Sequence, residues 1–271
     1  MMTAILITGA AGFLGQHLAQ HFADKAERLV LSDIKPLPEE PAGAERVQAD
    51  LGDQQAVLEM ARGVDAILHF GGLPVEYPFE EILHANLRGS YHVFEAARAS
   101  GARVIFASSN HAIGYYERSQ RLDVADPPVP DGFYGLSKAY VELLARTYWM
   151  KHGVESASLR IGSALPEPRD ARNLSTWFAL PDMMAMIEAC LAAQTLGCRL
   201  LWGASANSRG WWGRDDREGL DLPPFDDAER FAAALEPKVT DDPVNERYQG
   251  GSFASDGYDR DAPAPPPPLR R

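Results

Sequence analysis

Cysteine is nearly absent. The 271 residues contain two, Cys190 and Cys198, too few for a disulfide framework and without the spacing of a metal site. Both are expected to be reduced thiols, and no metal is expected. Positive charge is also scarce: 26 Lys and Arg stand against 38 Asp and Glu, a net charge of −12. A nucleic-acid binder needs a basic face, so nucleic acid is excluded as a partner. A small anion is not, because one local arginine can hold a carboxylate. No apolar run reaches the length of a membrane helix, so no membrane association is expected. The apolar N-terminus MMTAILITGAAGFLG lacks the basic segment of a secretory signal. A cytoplasmic location is expected. Internal repeats are lacking as well.

What is present is alternation. Short apolar runs at residues 4–7, 29–31, 46–48, 66–70, 104–107, 157–161 and 199–202 read as strands. Longer amphipathic stretches at 14–21, 80–99, 133–152 and 182–193 read as helices, with a last one at 226–235. This order implies an α/β fold: a Rossmann-type, doubly wound parallel sheet with helices on both faces. Beyond Ile161 the pattern loosens, and Pro166, Pro168 and Pro181 punctuate loops.

Thr8-Gly9-Ala10-Ala11-Gly12-Phe13-Leu14-Gly15 joins the first strand to the first helix. Such a motif is weak alone; its strand-to-helix setting gives it weight. Gly9 permits the tight turn, Gly12 lets the backbone approach a pyrophosphate, and Gly15 brings the helix close to the sheet. The helix N-terminus offers N–H groups and partial positive charge to phosphates. Asp33 ends the second strand, where its carboxylate can accept both adenosine ribose hydroxyls and repel a 2′-phosphate. NAD is therefore the expected cofactor, although Lys35 nearby weakens the discrimination. Asp50 and Leu51 follow the third strand and could flank the adenine. Asp50 reads equally well as a helix N-cap in Asp-Leu-Gly-Asp. Phe13 and Leu14 in the first loop, and Phe70, Gly71 and Gly72 after the fourth strand, complete this set. The layout predicts a dinucleotide-binding core at 1–162, a small substrate-binding region at 163–255 packed on it, and a Pro-rich tail at 256–271, disordered or extended.

ARVIFASSNHAIGYY, residues 102–116, begins as a core strand and then presents Ser108, Ser109, Asn110 and His111 in a row. In doubly wound sheets ligands sit outside the carboxyl ends of the strands. These four residues are expected to face the reactive end of the cofactor, although His111 also reads as an ordinary hydrogen-bonded loop histidine. Tyr134 and Lys138 in YGLSK lie four apart and share one helix face. Free tyrosine has a pKa near about 10, too high for a base at neutral pH. An ammonium one turn away favours the phenolate, as does a nicotinamide cation. Lys138 can also reach the ribose on the nicotinamide side, and Ser109 would hold the substrate hydroxyl beside Tyr134. A Tyr-x-x-x-Lys pair is common on helices; the glycine loop and the serine after strand five raise its significance.

TGAAGFLG, that serine and YGLSK together resemble the extended branch of the short-chain dehydrogenase/reductase superfamily, which includes the NAD-dependent epimerases and dehydratases. SSNHAIGYY, RIGSALPEP, LSTWF, WGASANSRGWW and YQGGSF bring the sequence closer to the uronate dehydrogenases, from about residue 3 to 253. The resemblance implies NAD-dependent oxidation of D-glucuronate or D-galacturonate at the anomeric carbon, giving an aldaro-lactone. It implies Tyr134 as catalytic base, Lys138 as its cofactor-binding partner, and Ile161 as a cofactor contact. Ser109, Asn110, His111, Ser163 and Arg172 match substrate-binding positions. A guanidinium can bind a uronate carboxylate bidentately, and Arg169 competes with Arg172 for that role. The family implies a sugar-contacting serine where this chain has Pro74, which offers only a carbonyl. It also implies a homo-oligomer, associating through helices near 80–100 and 133–152. Two other readings stand beside this one: a sugar-nucleotide epimerase or dehydratase, and a non-catalytic NAD(H)-sensing regulator.

Overall fold

The computed structural model describes residues 4–39 and 41–259. Its main sheet has seven strands: β1 (Ala4–Thr8), β2 (Arg28–Asp33), β3 (Glu45–Gln48), β4 (Ala66–His69), β5 (Arg103–Ser109), β6 (Ser156–Ile161) and, after two short strands elsewhere, β9 (Cys198–Gly203). Their order is β3-β2-β1-β4-β5-β6-β9, and every pairing is parallel. The chain reverses its direction of travel between β1 and β4. A doubly wound sheet opens a crevice at that point, at the carboxyl ends of the strands.

Helices cover both faces, which is why the strands are apolar in runs. Leu6, Val30, Ile67, Val104 and Phe106 point to one side, against α2 (Gln54–Met60), α4 (Gly89–Ser100) and α5 (Phe133–His152). Ile5, Ile7, Leu31, Leu68, Ile105, Leu159 and Leu201 point to the other, against α1 (Phe13–Phe22) and α7 (Leu180–Ala192). Burying one such side chain contributes roughly 1.5–3 kcal/mol. β9 and α7 are built into this core, although both lie beyond residue 162.

The stretch expected as one helix at 80–99 is three pieces: α3 (Phe79–Ile82), a π-helical turn (Leu83–Arg88) and α4. The expected helix at 226–235 is also broken. A 3-10 turn at Ala228–Phe231, capped by Asp227, precedes α8 (Ala232–Leu235), and Phe231 leaves helical geometry between them. Four short features were not anticipated: a parallel pair β7 (Ser163–Leu165) and β8 (Trp177–Ala179), α6 (Asn173–Thr176) between them, α9 (Pro243–Arg247) and α10 (Ser252–Ser255). The Pro-rich tail lies largely outside the described residues, from 260 onward. Among the described residues no helix is long and apolar enough to cross a membrane.

Candidate active site

The first loop is glycine for reasons of contact. Gly9 has φ +72°, and a Cβ there would lie 2.5 Å from the Phe70 carbonyl oxygen. A Cβ at Gly15 would lie 2.1 Å from the Gly9 oxygen, so α1 packs directly on the turn. Gly12, the N-cap of α1, differs: φ is −76° and a Cβ would meet only the Gly9 oxygen at 3.2 Å. No side chain caps α1 and no acid occupies its first turn. These N–H groups and the bare backbone suit a pyrophosphate. Phe13 is exposed beside the loop, and Leu14 packs on the core.

Asp33 braces this loop. Its Oδ2 accepts from the Ala11 N–H at 3.0 Å and its Oδ1 from the Lys35 N–H at 2.9 Å. Beneath, Thr8 Oγ1 lies 2.8 Å from His69 Nδ1 and receives the Gly71 N–H at 3.2 Å, while His69 Nε2 lies 3.0 Å from Ser90 Oγ. Burial, reinforced by the Lys138 charge, holds the His69 pKa down at about 3, so this ring is neutral. Leu51 covers the loop after β4: its Cδ1 would lie 2.8 Å from a Cβ on Gly71. Gly72 has φ +126° and faces the Asn86 amide, 2.8 Å from where its Cβ would be. Asp50 is not an N-cap; Asp53 caps α2, accepting from the Gln55 and Ala56 N–H groups. Asp50 instead accepts from the Gly52 N–H at 2.7 Å and contacts His84 Nε2 at 2.9 Å. Burial raises its pKa, but these two bonds outweigh that and the net shift is downward.

Ser109 and Tyr134 meet at the carboxyl end of β5, where the Ser109 hydroxyl favours the ionised phenol. Lys138 Nζ donates to the Ala107 carbonyl at 2.8 Å and lies 5.3 Å from the centre of the Tyr134 ring. The Lys138 ammonium alone does not lower the phenol pKa. Burial pushes Tyr134 up to about 12, and the Ser109 bond only partly offsets it. Burial also pushes Lys138 down to about 8, against the opposing pull of Glu142. Ser108 is a correction. Strand residues alternate in direction, so it points away from the crevice. Its hydroxyl donates to Glu142 Oε1 at 2.6 Å, within a buried pair of Glu142 and Arg160. Ile161 ends β6 as the register partner of Ser109.

Beyond Ser109 lies a cavity of about 410 Å³ lined by His111, Gly162, Ser163, Arg172, Arg118 and Phe253, among others. His111 Nδ1 lies 2.7 Å from Asp131 Oδ2, and the His111 backbone N–H donates to Ser109 Oγ at 3.2 Å. Asn110 and Arg172 both donate to the Gln249 carbonyl, at 3.2 and 2.6 Å. Arg172 Nη1 reaches Ser163 Oγ at 3.5 Å, and its buried Nε has no partner among the described residues. Burial first, then the neighbouring Arg118, bring the Arg172 pKa down to about 10, so it remains a cation at neutral pH. Arg169 is exposed and does not line the cavity. Pro74 is exposed too, on a loop that Asn86 holds through both backbone groups of Leu73, at 2.7 and 3.1 Å.

Several residues here had no role legible in the sequence, although Gln249 and Phe253 lie within YQGGSF. Glu76 accepts from the Phe133 and Tyr134 N–H groups, both at 2.9 Å, and so caps α5 from outside the helix. Asn86 ties the β4 loop to Ser137 Oγ at 3.0 Å. Gln249 is fully buried and works through its backbone oxygen. Phe253 sets its ring edge-on to His111, 4.0 Å between centroids.

The chain is similar to proteins of known activity. The chain is 46% identical to a uronate dehydrogenase of Agrobacterium fabrum, over 93% of this chain and 97% of that protein. It superposes with TM-score 0.90 on a crystal structure of a mutant uronate dehydrogenase from Agrobacterium tumefaciens complexed with NAD, at 46% identity over 94% of this chain and 98% of that one. A glucuronic acid dehydrogenase from Chromohalobacter salexigens matches with TM-score 0.90 and 42% identity, over 94% and 97% of the two chains. Residues 5–216 match the pattern of the NAD dependent epimerase/dehydratase family. With that match over most of its length, the chain belongs to the NAD dependent epimerase/dehydratase family.

Proposed function

We propose that the protein is an NAD-dependent uronate dehydrogenase, oxidising D-glucuronate or D-galacturonate at C1 to the aldaro-lactone. The observation that carries this reading is Arg172: a guanidinium with an unpartnered buried Nε, beside Ser163 in a cavity whose His111 and Phe253 rings pack against Tyr134. A carboxylate is the sugar substituent that a guanidinium binds with directional, charge-assisted bonds.

Gly9, Gly12, Phe13, Leu14 and Gly15 would hold the pyrophosphate, Asp33 the adenosine ribose, and Asp50 and Leu51 would flank the adenine. Phe70, Gly71, Gly72 and Ile161 would contact the cofactor towards its reactive end, and Lys138 would hold the second ribose. When bound, NAD supplies the hydride acceptor and a cationic ring. Tyr134 Oη takes the proton of the anomeric hydroxyl, which Ser109 steadies. A buried phenol held at about 12 cannot do this unaided, so nearby positive charge must favour its ionised form. Asn110 and His111 orient ring hydroxyls.

Residues 163–255 supply Ser163, Arg172, Gln249 and Phe253, which is the sense in which that region binds substrate. The enzyme acts as a homo-oligomer in this reading. Leu136, Leu143 and Met150 are exposed at seven-residue spacing on α5, with Tyr91 exposed on α4, and a second copy would cover them. A cytoplasmic location agrees with the free thiols Cys190 and Cys198. The test is a steady-state screen of uronates and neutral aldoses with NAD and NADP, followed at the NADH band. Uronates with NAD should dominate; equal turnover of neutral aldoses would remove the uronate from the reading.

A further inference from the structure

Asp131 has no part in the chemistry above, yet the fold is arranged around it. It lies in the turn before α5, and its side chain is 2% exposed. Three glycines from separate segments wall its carboxylate. A Cβ at Gly114 would lie 1.9 Å from Oδ2, and one at Gly250 2.0 Å from the same oxygen. A Cβ at Gly135 would lie 2.9 Å from Oδ1 and 2.2 Å from the His111 carbonyl oxygen. None of the three has positive φ, so backbone conformation does not call for glycine at any of them. The room they leave is taken by Asp131 and by the His111 backbone.

We propose that Asp131 is a positioning residue that fixes His111 for the sugar. Its Oδ2 lies 2.7 Å from His111 Nδ1, which makes Nδ1 the protonated nitrogen of the neutral ring. Nε2 is then left as an acceptor for a sugar hydroxyl in the cavity that His111 lines. A free imidazole exchanges tautomers and rotates; a carboxylate at one nitrogen sets both. Phe253, edge-on to the ring at 4.0 Å, restrains it from a second side. The Asp131 backbone N–H also donates to the His111 carbonyl at 3.3 Å, so the two residues are joined twice. The role of the sugar hydroxyl rests on the uronate reading above; the tautomer does not.

Two measurements test this on the full chain with NADH bound. In ¹⁵N-histidine spectra, the neutral His111 ring of the wild type should carry its proton on Nδ1 and show Nε2 as bare. A ring protonated chiefly on Nε2 overturns the proposal, and this readout needs no variant. In kinetics, Asp131→Asn should lower kcat/KM for galacturonate by about 10–100-fold, the usual loss when a group that orients a functional histidine is removed. Placed in a His111→Ala background, the same substitution should cost nothing further. An equal cost in both backgrounds would mean that Asp131 acts on the fold and not through His111. Wild-type turnover of galacturonate, measured alongside, tests the uronate reading separately from either outcome.

Discussion

Lys138 and Tyr134 share one face of α5, yet the ammonium lies 5.3 Å from the phenol ring centre and gives its hydrogen bond to the Ala107 carbonyl. The two pKa values are therefore set mainly by burial, which raises the phenol to about 12 and lowers the ammonium to about 8. Tyr134→Phe should reduce turnover by roughly 10²–10⁴-fold, the usual share of a general base. Wild-type rate in that variant would remove Tyr134 from the mechanism.

Lys138 also links activity to stability. Its folded pKa lies below its unfolded value, so between about 8 and about 10.5 the unfolded chain binds more protons and this contribution to stability rises with pH. Below that window the fold carries the full cost of a buried ammonium. Lys138→Met should thus raise Tm at pH 7 while weakening NADH binding. A fall in Tm would show that the Ala107 bond matters more than burial of the charge.

For Arg172→Ala the expected change is in KM. Hydrogen bonds to a charged group are worth about 1.5–3 kcal/mol, so KM for uronates should rise on the order of 10–100-fold. Neutral aldoses, which lack the carboxylate, should lose much less. Side-by-side kinetics with galacturonate and galactose decide it, and an equal loss would assign the guanidinium to structure alone.

Glu76 caps α5 at the N–H groups of Phe133 and Tyr134. Removing a cap costs about 0.5–2 kcal/mol. Glu76→Ala should lower stability by that amount in urea unfolding. It should also lower kcat, because the same turn carries the phenol. Unchanged kcat with reduced stability would separate the cap from the chemistry.

His69 predicts the acid limb of the stability curve. Its folded pKa of about 3 lies below the ordinary histidine value of 6.5, so the unfolded chain takes up a proton first as pH falls. Stability is fully present above about 6.5 and is lost progressively towards 3. His69→Gln should flatten the dependence of Tm on pH between these values. An unaltered slope would assign acid unfolding to other groups.

The sequence by itself determined the frame: apolar runs at strand length, the glycine turn before α1, Asp33 at the end of β2, and the Tyr134–Lys138 spacing. These are local facts, since periodicity and turn chemistry act over a few residues, and the folded chain obeys them. Asp50 shows the limit: it read equally well as an adenine neighbour and as an N-cap, and the fold gives the cap of α2 to Asp53. Ser108 shows it again: at a strand end, alternation sent one serine to the crevice and its neighbour to Glu142. Tertiary structure alone decided the rest. Gln249 serves Asn110 and Arg172 with a backbone oxygen, which every residue has. Glu76 caps a helix that begins 57 residues after it. The glycines around Asp131 keep ordinary backbone angles, so only the packed fold, which brings three distant segments onto one carboxylate, explains why a side chain is missing there.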